Sequence, residues 1–292
     1  MEELSIFYYV DWKDLEPFDY LYDKNGIPLV DYGDSIGLKY NAITVAQWGL
    51  NCLSTWELTG NRDYRKKAMS CAQWLVSHAK PWENGALAWI YDYGFDLYGP
   101  QPPWISAMAQ GEALSLLLRC HQIRSRDVFL DVSHQAAKVF LFHFSEGGVM
   151  DTLSDGSLFP QEYPTIPPVH VLNGGIFALY GLYDYVKLFQ ERDYQEVMNS
   201  CIQGLLTQWR EWDTGYWSRY DLFQPHRLAS KMYHKLHVRQ FRVLAKLFDP
   251  EFNRIADRWE QMQENSLCRT RWILGKIAEK GRLQWFKMKR KS

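Results

Sequence analysis

The sequence predicts an all-α protein, an α/α barrel of about four helical hairpins with short β-ribbons and loops over one end. Two observations lead to this class. Two residue patterns recur along the chain at intervals of about 60 to 67 residues, which is typical of a repeated structural unit. The segments between recurrences alternate between an apolar helix pattern and an amphipathic one, as expected for inner and outer helices of a barrel.

The first pattern marks the start of each outer helix: an Arg-Asp pair followed by an aromatic residue. It occurs at Arg62-Asp63-Tyr64, at Arg126-Asp127 with Phe129 and at Arg192-Asp193-Tyr194, with Asp249-Pro250 and Phe252 as a looser fourth copy. We therefore predict amphipathic outer helices over residues 62–79, 127–143, 193–209 and 250–263.

The second pattern is an amide early in each apolar inner helix. The amides are Gln47, Gln110, Asn173 and Gln240, and the predicted inner helices cover residues 42–58, 105–122, 170–190 and 234–247. Amides at matching positions of four buried helices indicate a polar cavity mouth, although any one of them could equally be a satisfied buried group. The long connections from Trp82 to Pro103 and from Gly147 to Pro168 are of the length that usually carries function.

Charge divides the chain into a catalytic barrel at 1–268, which includes an extended segment at 1–40, and a basic, aromatic tail at 269–292. Overall, 33 Lys+Arg and 34 Asp+Glu give a formal charge of -1, which argues against nucleic acid as a partner. The tail holds nine basic residues and one acid, which leaves 24 basic and 33 acidic residues before it. The tail is therefore interpreted as a solvated helical extension, a surface for an acidic polymer, or a peripheral contact with an anionic membrane.

Localisation is predicted to be cytoplasmic, with membrane association through the tail as the alternative. No apolar run reaches the length of about 18 residues that a membrane span needs. Residues 1–10 carry two glutamates where a signal peptide would carry lysines.

Three polar segments are expected at the same end of the barrel, and each contributes a tyrosine. They are Gln161 to Thr165, Asp213 to Leu222 and Lys231 to His237. A tyrosine, with an ordinary pKa near 10, becomes a useful base for a weakly acidic C–H only where positive groups stabilise its phenolate. Arg219, Arg227, His234 and His237 are candidates for that environment and for neutralising a substrate carboxylate.

Two other kinds of site were considered for the same segments. His234 and His237 share a helix face, but no carboxylate or cysteine at a suitable spacing completes a metal site, so we predict neither a metal nor a cofactor. Glu162 with Asp221 or Asp213 is an available carboxylate pair for glycoside hydrolysis, and sequence spacing does not measure their separation.

Four motifs, in chain order, resemble the C-terminal domain of D-glucuronyl C5-epimerases, which act on heparan-type polysaccharides. The motifs are Pro103 to Gly111; Glu162 to Thr165 with Val171 to Gly174; Asp213 to Gly215 with Tyr220 to Leu222; and Tyr233-His234 with His237 and Gln240. The resemblance runs from about Tyr40 to Trp259 and is consistent with an α/α barrel, the fold of that family's helical domain.

The resemblance implies an enzyme that removes the hydrogen at C5 of a glucuronate residue in a polymer and returns a proton on the opposite face, giving iduronate. It assigns catalytic roles to Glu162, Tyr163, Tyr220 and Tyr233. Glu162 or Tyr163 is expected on one face of the sugar and Tyr233 on the other, while Tyr220 assists at the carboxylate or ring oxygen. The expected substrate-binding residues are Gln110, Asn173, Arg219, Arg227, His234 and His237.

The chain departs from the family's pattern at three places. Phe223 stands where animal members carry an arginine, and Trp212 stands where the family has a tyrosine. Most of the N-terminal β-rich region of the animal enzymes is also missing. A uronate polysaccharide lyase, which begins with the same proton abstraction, and a non-catalytic glycan-binding domain remain alternatives. The expected partner is an acidic uronate-containing polysaccharide, and a homodimer is left open.

Overall fold

The structure is a computed structural model that describes residues 3–11, 19–33, 36–94, 97–223 and 226–291, with side chains described through Leu283. Within these ranges the α-helices are α1 (Ala42–Thr59), α2 (Arg62–His78), α3 (Ala107–Ile123), α4 (Asp127–Ala137), α5 (Leu172–Phe189), α6 (Arg192–Gln208), α7 (Lys231–Leu247), α8 (Glu251–Glu264) and α9 (Ser266–Lys291). The strands are β1 (Leu21–Tyr22), β2 (Pro28–Asp31), β3 (Leu38–Lys39), β4 (Lys80–Pro81), β5 (Leu87–Ala88), β6 (Ile90–Tyr91), β7 (Trp104–Ile105), β8 (Met150–Thr152) and β9 (Leu158–Pro160).

The helices pair as four hairpins, α1/α2, α3/α4, α5/α6 and α7/α8, which confirms the predicted fold class. The inner helices α1, α3, α5 and α7 are neighbours in that order, and α3 and α5 are buried along most of their length. The outer helices α2, α6 and α8 bury one face each. All the strands belong to antiparallel ribbons: β1-β2-β3, β4-β5, β6-β7 and β8-β9.

Three inner helices begin at different residues from those predicted: α5 begins two residues late, at Leu172, and local pairing and capping explain the other two. Helix α3 begins two residues late because Trp104 and Ile105 pair with Tyr91 and Ile90 as strands, and Ser106 then caps the helix. Helix α7 begins three residues early because the Ser230 hydroxyl accepts a hydrogen bond from the backbone N–H of Tyr233 at 3.2 Å. Tyr233 therefore lies in the first turn of α7.

Helices α3 and α5 approach each other closely through glycine. A Cβ built on Gly111 would lie 2.6 Å from the Cα of Ala178, and one built on Gly181 would overlap the backbone of Gly111. Glycine costs about 1 kcal/mol relative to alanine inside a helix, so packing is the reason for these residues. This contact sets the spacing between α3 and α5.

Residues 3–11 pack against the C-terminal ends of the inner helices. The backbone N–H of Leu4 donates to Gln122 at 2.8 Å, and Tyr9 donates from its hydroxyl to Asp184. Asp184 also forms a fully buried ion pair with Arg119, whose Nε donates to the carbonyl of Ser5 at 2.8 Å. This end of the barrel is therefore filled by the chain itself, and the polar loops lie at the opposite end.

Helix α9 contains most of the basic tail, and its first half packs on the loops of the barrel. The indole of Trp272 donates to the carbonyl of Ala229 at 2.9 Å. Glu279 accepts from the backbone N–H of Leu228 at 2.8 Å and from Lys276 at 2.7 Å. Tail residues whose side chains lie outside the described part are Trp285, Phe286, Lys287, Lys289, Arg290 and Lys291. Among the described residues, no helix has the length and apolar character of a membrane span.

Candidate active site

The candidate catalytic side chains meet at the N-terminal ends of α5 and α7. Glu162 and Tyr163 follow β9 and precede α5, Tyr220 lies on a loop, and Tyr233 lies in α7. The rings of Tyr220 and Tyr233 are in contact, with centroids 4.7 Å apart. Burial raises the pKa of Tyr220, and Glu162, Tyr233 and Tyr163 raise it further through their nearby charge. The structure thus brings all four predicted catalytic residues into one group, called the tyrosine cluster below.

Residues 218–223 and 226–229 form two antiparallel segments, called the site hairpin. The backbone N–H of Tyr220 donates to the carbonyl of Arg227 at 2.9 Å, and that of Ala229 donates to Ser218 at 2.9 Å. The carbonyl of Tyr220 accepts from the N–H of Leu172 at 3.1 Å, which joins the hairpin to α5. The guanidinium of Arg227 lies 4.8 Å from the centroid of the Tyr220 ring. Tyr220 and Arg227 therefore share the hairpin face that meets the cluster.

Glu162 is a buried carboxyl group with a strongly shifted pKa. Its side chain contacts Gly174 in the first turn of α5, and its Oε2 has no hydrogen-bond partner among the described residues. Burial raises its pKa to about 7, and the charge of Asp221 acts in the same direction. The hydroxyl of Tyr163 and the guanidinium of Arg227 oppose this rise without cancelling it. A group with this pKa can both take and give a proton at neutral pH.

Asp221 anchors the cation of the site. Its Oδ2 accepts hydrogen bonds from Arg227, at 3.0 Å, and from the hydroxyl of Tyr98, and its Oδ1 accepts from the N–H of Phe223 at 3.2 Å. Burial raises the pKa of Asp221 to about 6, although Arg227 and Tyr98 lower it. The Nε of Arg227 has no acceptor among the described residues. Arg227 is thus held in place by Asp221 while part of its guanidinium remains available to a ligand.

Sequence reasoning did not assign Tyr98 and Asp221 to this site. The sequence places Asp221 in the Tyr220 to Leu222 motif and in a possible glycosidase pair, and it places Tyr98 in a long connection, but it gives neither residue a role beside Arg227. The Tyr98 ring lies 4.7 Å from that of Tyr163, and its hydroxyl bonds a residue 123 positions away. No local pattern in the sequence predicts a hydrogen bond between residues so far apart. The length of the connection that contains Tyr98 is the sequence feature that indicates a function for it.

The two histidines lie away from the cluster and pack beneath the site hairpin. His234 Nδ1 accepts from the N–H of Ser218 at 3.1 Å, and its Nε2 lies 2.9 Å from the carbonyl of Trp259. His237 Nδ1 lies 2.9 Å from the Ser218 hydroxyl. Both side chains are fully buried, and burial lowers the pKa of His234 to about 4. In place of the expected contact with substrate, the structure gives them a role in joining the hairpin to α7 and α8.

Gln110 likewise serves the framework. Its amide oxygen accepts from the N–H of Trp89 at 3.1 Å, and its Nε2 lies 3.2 Å from each of the carbonyls of Leu87 and Ala136. Both the oxygen and the nitrogen of this amide are hydrogen-bonded to backbone groups. Gln110 therefore connects the β5–β6 loop to α3 and α4 instead of lining a substrate cavity.

Of the other three amides, Gln240 and Asn173 are hydrogen-bonded to each other, and Gln47 is bonded elsewhere. Gln47 donates to Glu112 at 3.1 Å, and Gln240 donates to the backbone carbonyl of Asn173 at 3.0 Å. Asn173 is buried, and its amide oxygen has no partner among the described residues. Since Asn173 precedes Gly174, which touches Glu162, it is the repeated amide that adjoins the tyrosine cluster.

A row of aromatic rings leads from the cluster to a second pocket. Trp104 lies 5.6 Å from Tyr163 and 4.3 Å from Tyr91, centroid to centroid, and Tyr91 lies 5.7 Å from Tyr93. Beyond them is a pocket of about 210 Å³, called the aromatic trough. Its walls include Tyr40, Trp74, Tyr91 and Tyr93, with Lys80 and the ion pair of Lys39 with Asp92 at 3.3 Å. Aromatic faces with cations are suited to acidic sugar rings.

Metal ligands do not gather at these sites. Among the residues that the structure describes, no three His, Cys, Asp or Glu side chains are placed to hold a metal ion.

The fold is that of α/α-toroid enzymes, and two solved structures share it. An unsaturated glucuronyl hydrolase specific for heparin has a TM-score of 0.54 at 10% identity, covering 77% of this chain and 62% of its own. The cellobiose 2-epimerase of Bacillus thermoamylovorans has a TM-score of 0.57 at 10% identity, covering 83% of this chain and 66% of its own. At this identity the likeness concerns the fold alone.

The sequence relationship is more specific. Residues 83–261 match the family model described as D-glucuronyl C5-epimerase C-terminus, and the chain belongs to that family. A D-glucuronyl C5-epimerase of Caenorhabditis elegans is 33% identical over 176 residues, which cover 54% of this chain. The match spans 28% of that relative's length.

Proposed function

We propose that this protein is a polysaccharide glucuronate C5-epimerase, which converts D-glucuronate to L-iduronate residues within a heparosan- or heparan-type polymer. One observation carries the proposal: the Glu162 carboxyl, with a pKa of about 7, lies in one group with three tyrosines and the Arg227 guanidinium. Membership of the family and the name of the C. elegans relative support D-glucuronate as the sugar and C5 as the centre that reacts, and the motif resemblance supplies the heparan-type polymer.

Glu162 is the resting base in this proposal. Burial raises the pKa values of Tyr163 and Tyr220 well above their ordinary range, so neither is a phenolate at neutral pH. Glu162 accepts the C5 proton, and the electron pair of the C–H bond moves into the adjacent substrate carboxylate. Arg227, which is positioned by Asp221, stabilises the charge that develops there.

Tyr233 completes the exchange from the opposite face. Its hydroxyl donates a proton to C5 as the electron pair returns from the carboxylate, which inverts the centre. Tyr233 then recovers a proton from solvent while Glu162 releases one, so the enzyme returns to its starting state with no change of oxidation level. Tyr220, in contact with the Tyr233 ring and beneath Arg227, assists at the carboxylate or ring oxygen.

A polymer extends beyond the sugar that reacts, and the aromatic trough supplies a surface for it. The ring row through Trp104 and Tyr91 connects the trough with Tyr163. Lys80 in the trough wall matches the negative charge of uronate, while Lys39 is paired with Asp92. Hydrolysis is less well supported, because both oxygens of Asp221 are engaged by Arg227, Tyr98 and backbone, which leaves it poorly placed to activate water.

The experiment is proton exchange in deuterated water with a desulfated heparosan-type polymer. The expected result is deuterium at C5 together with iduronate, lost in Glu162→Gln and Tyr233→Phe. Tyr64→Phe, on outer helix α2 and away from the cluster, is the matched control and should retain exchange.

Three outcomes contradict the proposal and identify its replacement. Unsaturated uronate ends, seen by ultraviolet absorbance, would make the protein a lyase. New reducing ends without unsaturation would make it a hydrolase. Polymer binding that survives both substitutions, with no exchange in the unmodified protein, would make it a glycan-binding domain.

A further inference from the structure

Another pocket, of about 380 Å³, lies behind the site hairpin, between the hairpin and α9. We call it the rear pocket. Arg219 pairs with Leu228 across the hairpin, one position along from the Tyr220 and Arg227 pair. Successive side chains of paired strands point to opposite faces. Tyr220 and Arg227 therefore face the tyrosine cluster, whereas Arg219 and Leu228 line the rear pocket.

The rear pocket gathers positive charge that the described residues do not neutralise. Arg219 and Arg282 line it. Burial lowers the pKa of His226, and the positive charges of these two arginines lower it further. Nη1 of Arg219 lies 3.3 Å from the ring of His226. No carboxylate among the described residues forms an ion pair with either arginine.

The acidic residues near the rear pocket are bonded to other groups or, among the described residues, form no ion pair with its arginines. Asp213 in the wall accepts from Arg258 at 2.7 Å and from the Trp259 indole at 3.2 Å. The charge of Glu211 raises the pKa of His226, and among the described residues Glu211 forms no ion pair with either pocket arginine. Arg271, whose guanidinium lies 4.5 Å from the Tyr216 ring, adds a further cation beside the pocket. The wall of the pocket therefore carries arginine side chains that no carboxylate among the described residues pairs with.

We propose that the rear pocket binds an oxyanion, a sulfate or carboxylate group carried by the acidic polysaccharide, at a site separate from the tyrosine cluster. The guanidinium fork matches the geometry of such groups, and charge-assisted hydrogen bonds to them are stronger than neutral ones. That the bound group belongs to the polysaccharide rests on the proposed function. That the pocket binds an oxyanion does not rest on it. Bound there, the group would connect Arg219 of the hairpin to Arg282 of α9.

This assignment gives the basic tail a definite use. A chain with 24 basic and 33 acidic residues before position 269 would repel a polyanion, unless cations are gathered where the polymer lies. Helix α9 brings Arg282 to the back of the hairpin that carries Tyr220 and Arg227. The polymer would then be held on both faces of the same hairpin.

The first test is calorimetric titration of the full chain with inorganic sulfate at constant ionic strength. Arg282→Ala should weaken sulfate binding about tenfold or more, since it removes one of two charged partners. Arg282 is exposed, so its removal should leave the fold intact; Arg219→Ala is the second variant. Arg269→Ala, an exposed arginine of the same helix outside the pocket, is the control and should bind as the unmodified chain does.

The second test repeats the titration with a sulfated heparosan-derived oligosaccharide. A parallel loss of affinity in Arg282→Ala assigns the bound group to the polymer. Loss of sulfate binding with unchanged oligosaccharide affinity would overturn that assignment in favour of a free anion. Absence of saturable sulfate binding, or equal binding by all variants, would overturn the site itself. Neither titration needs turnover, so a failure of epimerisation would be seen separately.

Discussion

The carboxyl group of Glu162 lies directly against the backbone of Gly174. A Cβ built on Gly174 would lie 2.8 Å from the Glu162 carboxyl carbon and closer still to its Oε2. Glycine at this position of α5 therefore allows the loop before the helix to place a buried carboxyl at the helix N-terminus. The position of the proposed base depends on the absence of one methyl group.

Gly174→Ala should lower kcat at least tenfold while the protein stays folded, because the added methyl displaces the Glu162 carboxyl from its place. Kinetics of C5 exchange and a thermal melt measure the two effects. Gly175→Ala is the matched control: its Cβ would meet the ring of Phe159, with one ring carbon at 2.7 Å, in the core. It should cost roughly 1–3 kcal/mol of stability through overpacking. Equal kinetic effects of the two variants would contradict the role given to Gly174.

Glu162→Gln should stabilise the fold above neutral pH while abolishing exchange. The folded-state pKa of Glu162 is about 7, above its ordinary value of 4.5, so the folded protein binds the extra proton. Stability from this group is present below pH 4.5 and is lost as pH rises towards 7. The loss is on the order of 3 kcal/mol. Urea unfolding of both proteins at pH 5 and 8 should show the variant gaining relative stability at pH 8; a constant difference would contradict the shifted pKa.

The activity of the unmodified protein should rise with pH through about 7, because Glu162 must be ionised to take the C5 proton. The measurement is kcat/KM for exchange between pH 5.5 and 8.5. A profile that is flat over this range, or one that falls, would exclude Glu162 as the base.

Trp74→Ala should raise the KM for a long polymer several-fold and leave that for a short oligosaccharide nearly unchanged. The Trp74 ring lines the aromatic trough and stacks on His78, with centroids 4.1 Å apart, so its removal affects only sugars that reach the trough. Trp56→Ala, a half-buried tryptophan on α1 outside the trough, serves as the comparison. The same change in KM for both substrate lengths would show that the trough is not a polymer surface.

Stability should fall as pH is lowered from 6.5 towards 4, because His234 is held neutral in the fold. Burial lowers its pKa to about 4, so the unfolded chain takes up a proton in this window and the folded chain does not. The contribution is on the order of 3 kcal/mol. Urea unfolding across this window should show a shallower fall for His234→Gln. The exposed His78→Gln is the control; an unchanged slope in His234→Gln would contradict the prediction.

Much of the helical framework follows from local sequence. The recurring Arg-Asp-aromatic openings and the inner amides place helices α1 to α8, since apolar periodicity and turn residues report directly on helices. Some helices begin or end away from the predicted residues because another local interaction competes with the helix. Trp104 and Ile105 pair as a strand with β6, and Ser230 caps α7 before the predicted start. Outer helix α4 ends at Ala137 and continues as a 3₁₀ turn over residues 138–141.

The sequence by itself determined the fold class, the family motifs and the four residues of the tyrosine cluster, because all of these are carried by local patterns and short motifs. Only the tertiary structure decided which of the predicted polar residues lie together at the tyrosine cluster and which are bonded elsewhere. Gln110, His234 and His237 are engaged with the framework, and Arg219 faces the opposite side of the hairpin from Arg227. Tyr98 reaches Asp221 across 123 positions. The physical reason is that hydrogen-bond partners and the face of a strand depend on contacts between distant segments, which no local pattern encodes.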